Sequence, residues 1–99
     1  MTQFRISQKP TRCGISPKMQ GLIFFTCLNA KELGEETERK ILNLCMSVAN
    51  EDYQALYRFL TDGYINHDFI CREYCMYKEK LFEYKQRFYV EYAKYIKTV

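Results

Sequence analysis

The chain has little of what catalysis usually requires. Its 99 residues include one histidine, His67, and no tryptophan. A Cys-His or Ser-His nucleophilic pair would have to use His67, and no glycine-rich loop is present that could cradle a phosphate. The carboxylate pairs Glu35/Glu36 and Glu51/Asp52 are adjacent in the sequence, so they point to different sides and are typical of first helical turns. We expect no enzymatic activity, no metal and no cofactor.

Signals for secretion or membrane insertion are also missing from the sequence. The start, MTQFRISQKPTR, contains no apolar run of the kind found in signal peptides. The most apolar stretch, GLIFFTCL, is too short to span a bilayer. Five cysteines are an odd number, and without a secretion signal we expect buried thiols rather than a disulfide framework. These observations predict a cytoplasmic protein without membrane contact.

Helical patterns dominate what is present. Two prolines and four glycines are few for an all-β chain, and 47% of the residues are apolar. The sequence predicts an all-α fold, a compact bundle of about five helices with a long last helix. We expect a basic flexible arm over residues 1–15 and one helical domain over residues 16–99, with a helix-turn-helix at 66–97. The predicted helices are 17–29 after Ser16-Pro17, one following Gly34, one capped by Asn50, 67–74 capped by Asn66, and 78–97.

Helical spacing also predicts which side chains face inward. In the first helix these are Met19, Leu22, Ile23, Thr26 and Cys27, with Phe24, Phe25 and Leu28 widening the stripe. In the next two helices they are Ile41, Leu44, Cys45, Val48, Tyr53, Leu56, Phe59 and Leu60.

Two cysteines, Cys71 and Cys75, stand four residues apart just before the last predicted helix. With His67 they would line one helical face, but a zinc site needs a fourth ligand and usually a CxxC pair in a loop. A redox pair is disfavoured because the CxxC spacing and a thiolate-stabilising context are missing. The spacing fits a helix-turn-helix, which needs a small residue where the two helices cross and another in the turn. We expect both cysteines to be present for their size.

The residues around the two cysteines carry a resemblance to a known family. The run ICREYCM, from Ile70 to Met76, is followed by a helix containing Leu81, Phe82, Tyr84, Lys85, Arg87 and Phe88. Over residues 67–88 this pattern resembles the small helix-turn-helix domains of bacterial transposases and of regulators from phages and integrative mobile elements. It departs from them at Cys75, where glycine is usual, and at Tyr77, where a capping Ser or Thr is common. The resemblance implies a DNA-binding regulator of a mobile element that acts in the cytoplasm of the host cell.

The resemblance also implies which side chains meet double-stranded DNA. The last helix would lie in the major groove, and its groove-facing side would consist of Tyr77, Lys78, Glu79, Phe82, Glu83 and Gln86. Gln86 would hydrogen-bond adenine edges. Lys78, Lys85 and Arg87 would neutralise phosphates. Glu79 and Glu83 oppose binding unless they accept a hydrogen bond from a cytosine amino group.

The charges are distributed unevenly along the chain. Residues 1–20 carry +4, residues 31–62 carry −3 and residues 67–99 carry +2, so both ends are basic around an acidic middle. Arg5, Lys9 and Arg12 in the basic arm are therefore further candidates for phosphate contacts. The distribution is compatible with a polyanionic partner but is weaker than a continuous basic stripe.

Tyrosine is unusually frequent, with nine residues, and such an excess often marks a contact surface. Aromatic residues at 77, 84, 88, 92 and 95 form a seam along the last helix at helical spacing. Tyr89, Tyr92 and Tyr95 are predicted to form a protein interface, and a homodimer would suit a two-fold DNA site. The alternative is that the first two helices cover this seam.

A different function class also fits the sequence. A small, tyrosine-rich protein of a mobile element could bind a host defence nuclease and inhibit it, as anti-CRISPR proteins do, by steric protein contact. Mimicry of DNA is disfavoured because the net charge is +3. A structural subunit of a larger assembly is a third possibility.

Overall fold

The computed structural model describes residues 15–62 and 66–97, and no strand occurs in these two segments. The helices are α1 (Pro17–Leu28), α2 (Ala30–Leu33), α3 (Glu35–Ala49), α4 (Tyr53–Thr61), α5 (His67–Glu73) and α6 (Lys78–Lys97), with a 3₁₀ turn at Asn50–Asp52. The prediction of an all-α bundle of about five helices with a long last helix is confirmed. The single-turn helix α2 was not predicted from the sequence.

Local capping chemistry fixes the helix starts that the sequence predicted. The Ser16 hydroxyl accepts a hydrogen bond from the Met19 backbone N–H at 3.2 Å, and Pro17 occupies the first helical position. The Asn66 side chain accepts from the Phe69 N–H at 2.9 Å and starts α5. Gly34, at φ 114°, turns the chain between α2 and α3 in a conformation that favours glycine. The region after α4, including Gly63, lies outside the described residues.

The main core is formed where α6 packs against α1 and α3, with α4 packed on α3. Its buried side chains include Ile23 and Cys27 from α1, Ile41 and Cys45 from α3, Leu56 from α4 and Phe88 from α6. The four residues predicted to face inward from α3 are all buried, so that prediction is confirmed. A second, smaller cluster of Ala55, Ile70, Met76 and Leu81 joins α4, α5 and the start of α6.

Expectations about four residues in the first half of the chain were wrong. Leu22 and Phe25 were expected inside, but they are 50% and 53% exposed because α1 buries the side containing Gln20, Gly21, Ile23 and Cys27. Asn50 does not cap the next helix. It ends α3 at φ 51°, with its N–H donating to the Met46 carbonyl. Ile15, assigned to the arm, is buried in the main core, and its carbonyl accepts a 3.0 Å hydrogen bond from the Gln20 side chain.

Candidate functional site

A short turn connects α5 to α6, and its geometry accounts for the four-residue spacing of Cys71 and Cys75. The Met76 N–H donates to the Cys71 carbonyl at 2.9 Å, which is the long bond of a Schellman motif closing α5. Cys75 occupies the position of this motif that glycine usually fills, at φ 50°. Met76 and Ile70 are both buried beside it. The turn thus directs the chain into α6 and buries Leu81 against α5.

Cys75 is exposed and Cys71 half-buried, so the expectation that all cysteines are buried was wrong for this pair. Cys27 and Cys45 are buried in the core, and burial raises the pKa of the Cys45 thiol to about 12. All four thiols are free. Within the two described segments no group of three His, Cys, Asp or Glu side chains is arranged to hold a metal ion.

The first half of α6 and the residue before it present a continuous exposed surface. Tyr77 is 82% exposed and Phe82 is 40% exposed, although both are large and aromatic. The exposed residues of this surface are Tyr77, Lys78, Glu79, Phe82, Glu83 and Gln86, and we call them the α6 face. Leu81 and Phe88 on the opposite side of the helix are fully buried. The side chains predicted to face a DNA groove are therefore together and accessible on one surface.

Acidic neighbours partner the cations of this region. Lys78 lies 3.7 Å from Asp68 of α5, and Arg87 lies 2.7 Å from Glu83 one helical turn earlier. Both pairs are well exposed, and ion pairs of this kind contribute only about 0–1 kcal/mol to stability. A phosphate could therefore replace either carboxylate as the partner of the cation at a small cost in free energy.

Lys85 does not lie on the α6 face, contrary to its predicted role as a phosphate contact. Its side chain is half-buried, and its Nζ lies 5.7 Å from the ring centroids of both Phe59 and Tyr89. Burial lowers the pKa of the Lys85 ammonium group. The reason is geometric, since position 85 falls between the exposed side of α6 and the side that packs on the core.

His67, the first residue of α5, is half-buried by aromatic side chains from two other helices. Its imidazole lies between the rings of Phe59 from α4 and Phe82 from α6, with centroid distances of 4.5 and 4.4 Å. The buried Nε2 atom has no hydrogen-bond partner within residues 15–62 and 66–97. Burial lowers the pKa of His67, and the nearby cations Lys85 and Lys78 lower it further. The imidazole is therefore held mainly in its neutral form, as the middle ring of a three-ring column.

An ion-paired network that sequence reasoning missed fixes α6 in place. The Tyr84 hydroxyl donates to the Asp52 carboxylate at 2.7 Å, and Lys80 lies 3.2 Å from the same carboxylate. The hydrogen bond from Tyr84, together with Lys80, keeps the pKa of Asp52 below its usual value. The sequence offered no signal for this contact, since Asp52 precedes Tyr84 by 32 residues.

The predicted tyrosine interface is largely inside the protein. Tyr89 and Tyr92 are 6% and 7% exposed because α1 and α3 cover this part of α6. The expectation that these two tyrosines form an accessible protein interface was therefore wrong. For them the alternative, in which other helices cover the aromatic seam, is correct. Tyr95 is 47% exposed, with the Lys40 ammonium 5.4 Å from its ring centroid. Arg5, Lys9 and Arg12 lie outside the described residues.

A wide groove occupies another side of the bundle. It has a volume of about 1200 Å³ and is lined by residues from α1, α2 and α4, including Phe25, Leu28, Tyr53, Tyr57 and Arg58. The α6 face does not contribute to it.

Comparisons of the chain with protein-family models, curated proteins and solved structures found no match. Within the described segments, every helix is too short or too polar to cross a membrane.

Proposed function

We propose that this protein is a small DNA-binding regulator of the helix-turn-helix type and that its α6 face enters the major groove of double-stranded DNA. The observation that carries the proposal is the exposure of the α6 face immediately after a tight turn. Side chains near the N-terminus of a recognition helix contact base edges when the preceding helix crosses the DNA backbone. The resemblance to regulators of mobile elements supports the same function.

The electrostatics favour modest affinity. Lys78 and Arg87 would contact phosphates after exchanging their carboxylate partners, and exposed pairs exchange at low cost. Glu79 and Glu83 lie on the same surface and would repel phosphates. The affinity for DNA would therefore depend on a few phosphate contacts and on base recognition. Contacts from the basic arm would add to these.

Salt dependence of binding tests the proposal directly. Fluorescence anisotropy of a labelled mixed-sequence duplex should show binding that weakens between about 50 and about 200 mM salt, because each phosphate contact contributes about 0.9 to the slope of log K against log salt. The double variant K78A/R87A should bind more weakly, with its slope reduced by about 1.8. Lack of binding by the wild-type protein at the lower salt concentration would exclude direct DNA binding.

The matched control is the double variant K31A/R39A. Lys31 on α2 and Arg39 on α3 are exposed and belong to helices other than α6. Both double variants lose two positive charges. An equal loss of binding by the two would indicate attraction by net charge alone.

A second candidate function is steric inhibition of a partner protein, such as a host nuclease, as anti-CRISPR proteins act. The observation that favours it is the wide groove, in which the 53% exposed Phe25 is a lining residue. If the wild-type protein fails to bind DNA, the variants F25D and Y77D would separate the groove from the α6 face in a pull-down with a candidate nuclease. Loss of capture with F25D alone would assign the partner to the groove side.

A homodimer stays a prediction of the proposed function, because two-fold duplex sites favour two-fold proteins. Size exclusion with light scattering at tens of micromolar should give twice the mass of 12.0 kDa. A monomer at that concentration would contradict the prediction.

A further inference from the structure

The three-ring column ends on the α6 face. Phe59 from α4 contacts His67 from α5, and His67 contacts Phe82 from α6, so three helices are joined through ring contacts. Phe59 is anchored beside the second core cluster, whereas Phe82 is 40% exposed. An exposed phenylalanine on a helix would usually sample several rotamers. Here the contact with His67 favours one position of the ring before any ligand binds.

The surroundings of Phe82 argue against an apolar protein contact at this point. Along the same side of α6 its neighbours are Lys78, Glu79 and Gln86, at spacings of four, three and four residues, and all of them are exposed. The core of a protein interface is usually depleted of charged residues. A phenylalanine flanked on its own helix by hydrogen-bonding side chains instead matches the major-groove edge of a base pair that contains thymine, whose methyl group lies beside donors and acceptors.

The column also limits how Phe82 could contact a base. One side of its ring is occupied by the His67 imidazole at a centroid distance of 4.4 Å. The ring therefore cannot be inserted between two stacked bases without breaking that contact. A methyl group needs contact on one side only, and Phe82 remains 40% exposed beside its contact with His67.

We infer that Phe82 contacts the C5-methyl group of a thymine in the DNA target and that His67 acts as its positioning residue. This inference rests on the proposed function and adds a preferred base to it. Phe82 distinguishes thymine from other bases by apolar contact, and His67 holds the Phe82 ring through the column. Neither role requires a charge on His67.

The test replaces thymine by deoxyuridine, which differs by the C5-methyl group. A duplex is first selected from a random library by binding to the wild-type protein, and each thymine in it is then replaced singly by deoxyuridine. Replacement at one position should weaken wild-type binding about fourfold, the effect of losing one buried methyl group. The variant F82A should bind the thymine and deoxyuridine duplexes equally at that position.

Two further variants separate positioning from general stability. His67→Ala should reduce the thymine preference, whereas His67→Phe should restore it because a third ring again supports Phe82. Phe69→Ala is the matched control, since Phe69 is 38% exposed on α5 and contacts Arg58 instead of the column. This control should keep the full thymine preference.

The outcomes distinguish the inference from the proposed function. Wild-type binding to DNA with no sensitive thymine would overturn the inference and leave the proposed function intact. A thymine preference that persists in F82A would also overturn it. Absence of any DNA binding by the wild-type protein would remove the proposed function, and the inference with it.

Discussion

Replacing each of two cysteines by glycine should change stability in opposite directions. Cys75 has φ 50° and is exposed, so the variant C75G would relieve strain and lose little packing. A left-handed conformation costs an L-residue about 1–2 kcal/mol, and glycine does not bear this cost. Glycine also makes the unfolded chain more flexible, which opposes the gain by about 0.5–1 kcal/mol. The net expectation is that C75G raises the free energy of unfolding by about 0.5–1 kcal/mol.

Cys71 provides the matched comparison, because it lies inside α5 and is half-buried. Glycine in a helix interior costs about 1 kcal/mol, and some packing against the second cluster would also be lost. The two variants should therefore differ by about 2 kcal/mol. For a domain of this size a change of 1 kcal/mol shifts the melting temperature by about 4 °C or more.

Urea and thermal denaturation followed by circular dichroism, with a reductant present, would measure both effects. Equal destabilisation by C75G and C71G would refute the reasoning. It would mean that the left-handed turn at Cys75 does not determine how α5 ends. A Cys75→Val variant should be destabilised, since a β-branched residue tolerates positive φ poorly.

Three further predictions concern the contacts of α6. Because the pKa of His67 is lowered on folding, its contribution to stability is complete above about pH 6.5 and is lost as pH falls below that value. The free energy of unfolding of His67→Phe should therefore depend less on pH below about pH 6.5. Asp52→Asn should lower the free energy of unfolding by about 1–2 kcal/mol at pH 7. A double-mutant cycle with Tyr84→Phe should give a coupling energy between the two residues that disappears as pH falls through the lowered pKa of Asp52. In urea denaturation, Tyr92→Ala should lower the free energy of unfolding by about 3 kcal/mol and Tyr95→Ala by less than about 1 kcal/mol. Similar decreases for the two variants would contradict the burial of Tyr92.

The segment from α5 to α6 shows how far local patterns reach. Asn66 predicted the start of α5, and the structure confirms it. Ile70, Met76 and Leu81, which surround the two cysteines in the sequence, are buried together in one cluster. The bounds of α6 were predicted as residues 78–97 and are confirmed. These features depend on caps, helical periodicity and turn geometry, which act over a few residues.

The errors have a common physical cause. Leu22 and Tyr92 both fit an apolar helical pattern, yet one is 50% exposed and the other is buried. Periodicity identifies an apolar side of a helix but not which neighbouring helix covers it, or how far along the helix that cover extends. In α1 the buried side is narrower than its apolar stripe, and in α6 the cover from α1 and α3 reaches the tyrosines expected to be free.

The sequence by itself determined the all-α class, most helix ends and the inward side of α3, because each follows from interactions between residues a few positions apart. The tertiary structure decided the rest of the site. It joined Asp52 to Tyr84, brought His67 into contact with Phe59 and Phe82, and turned Lys85 inward. Contacts of this kind form between separate helices, and their geometry is fixed only when those helices pack around a shared core.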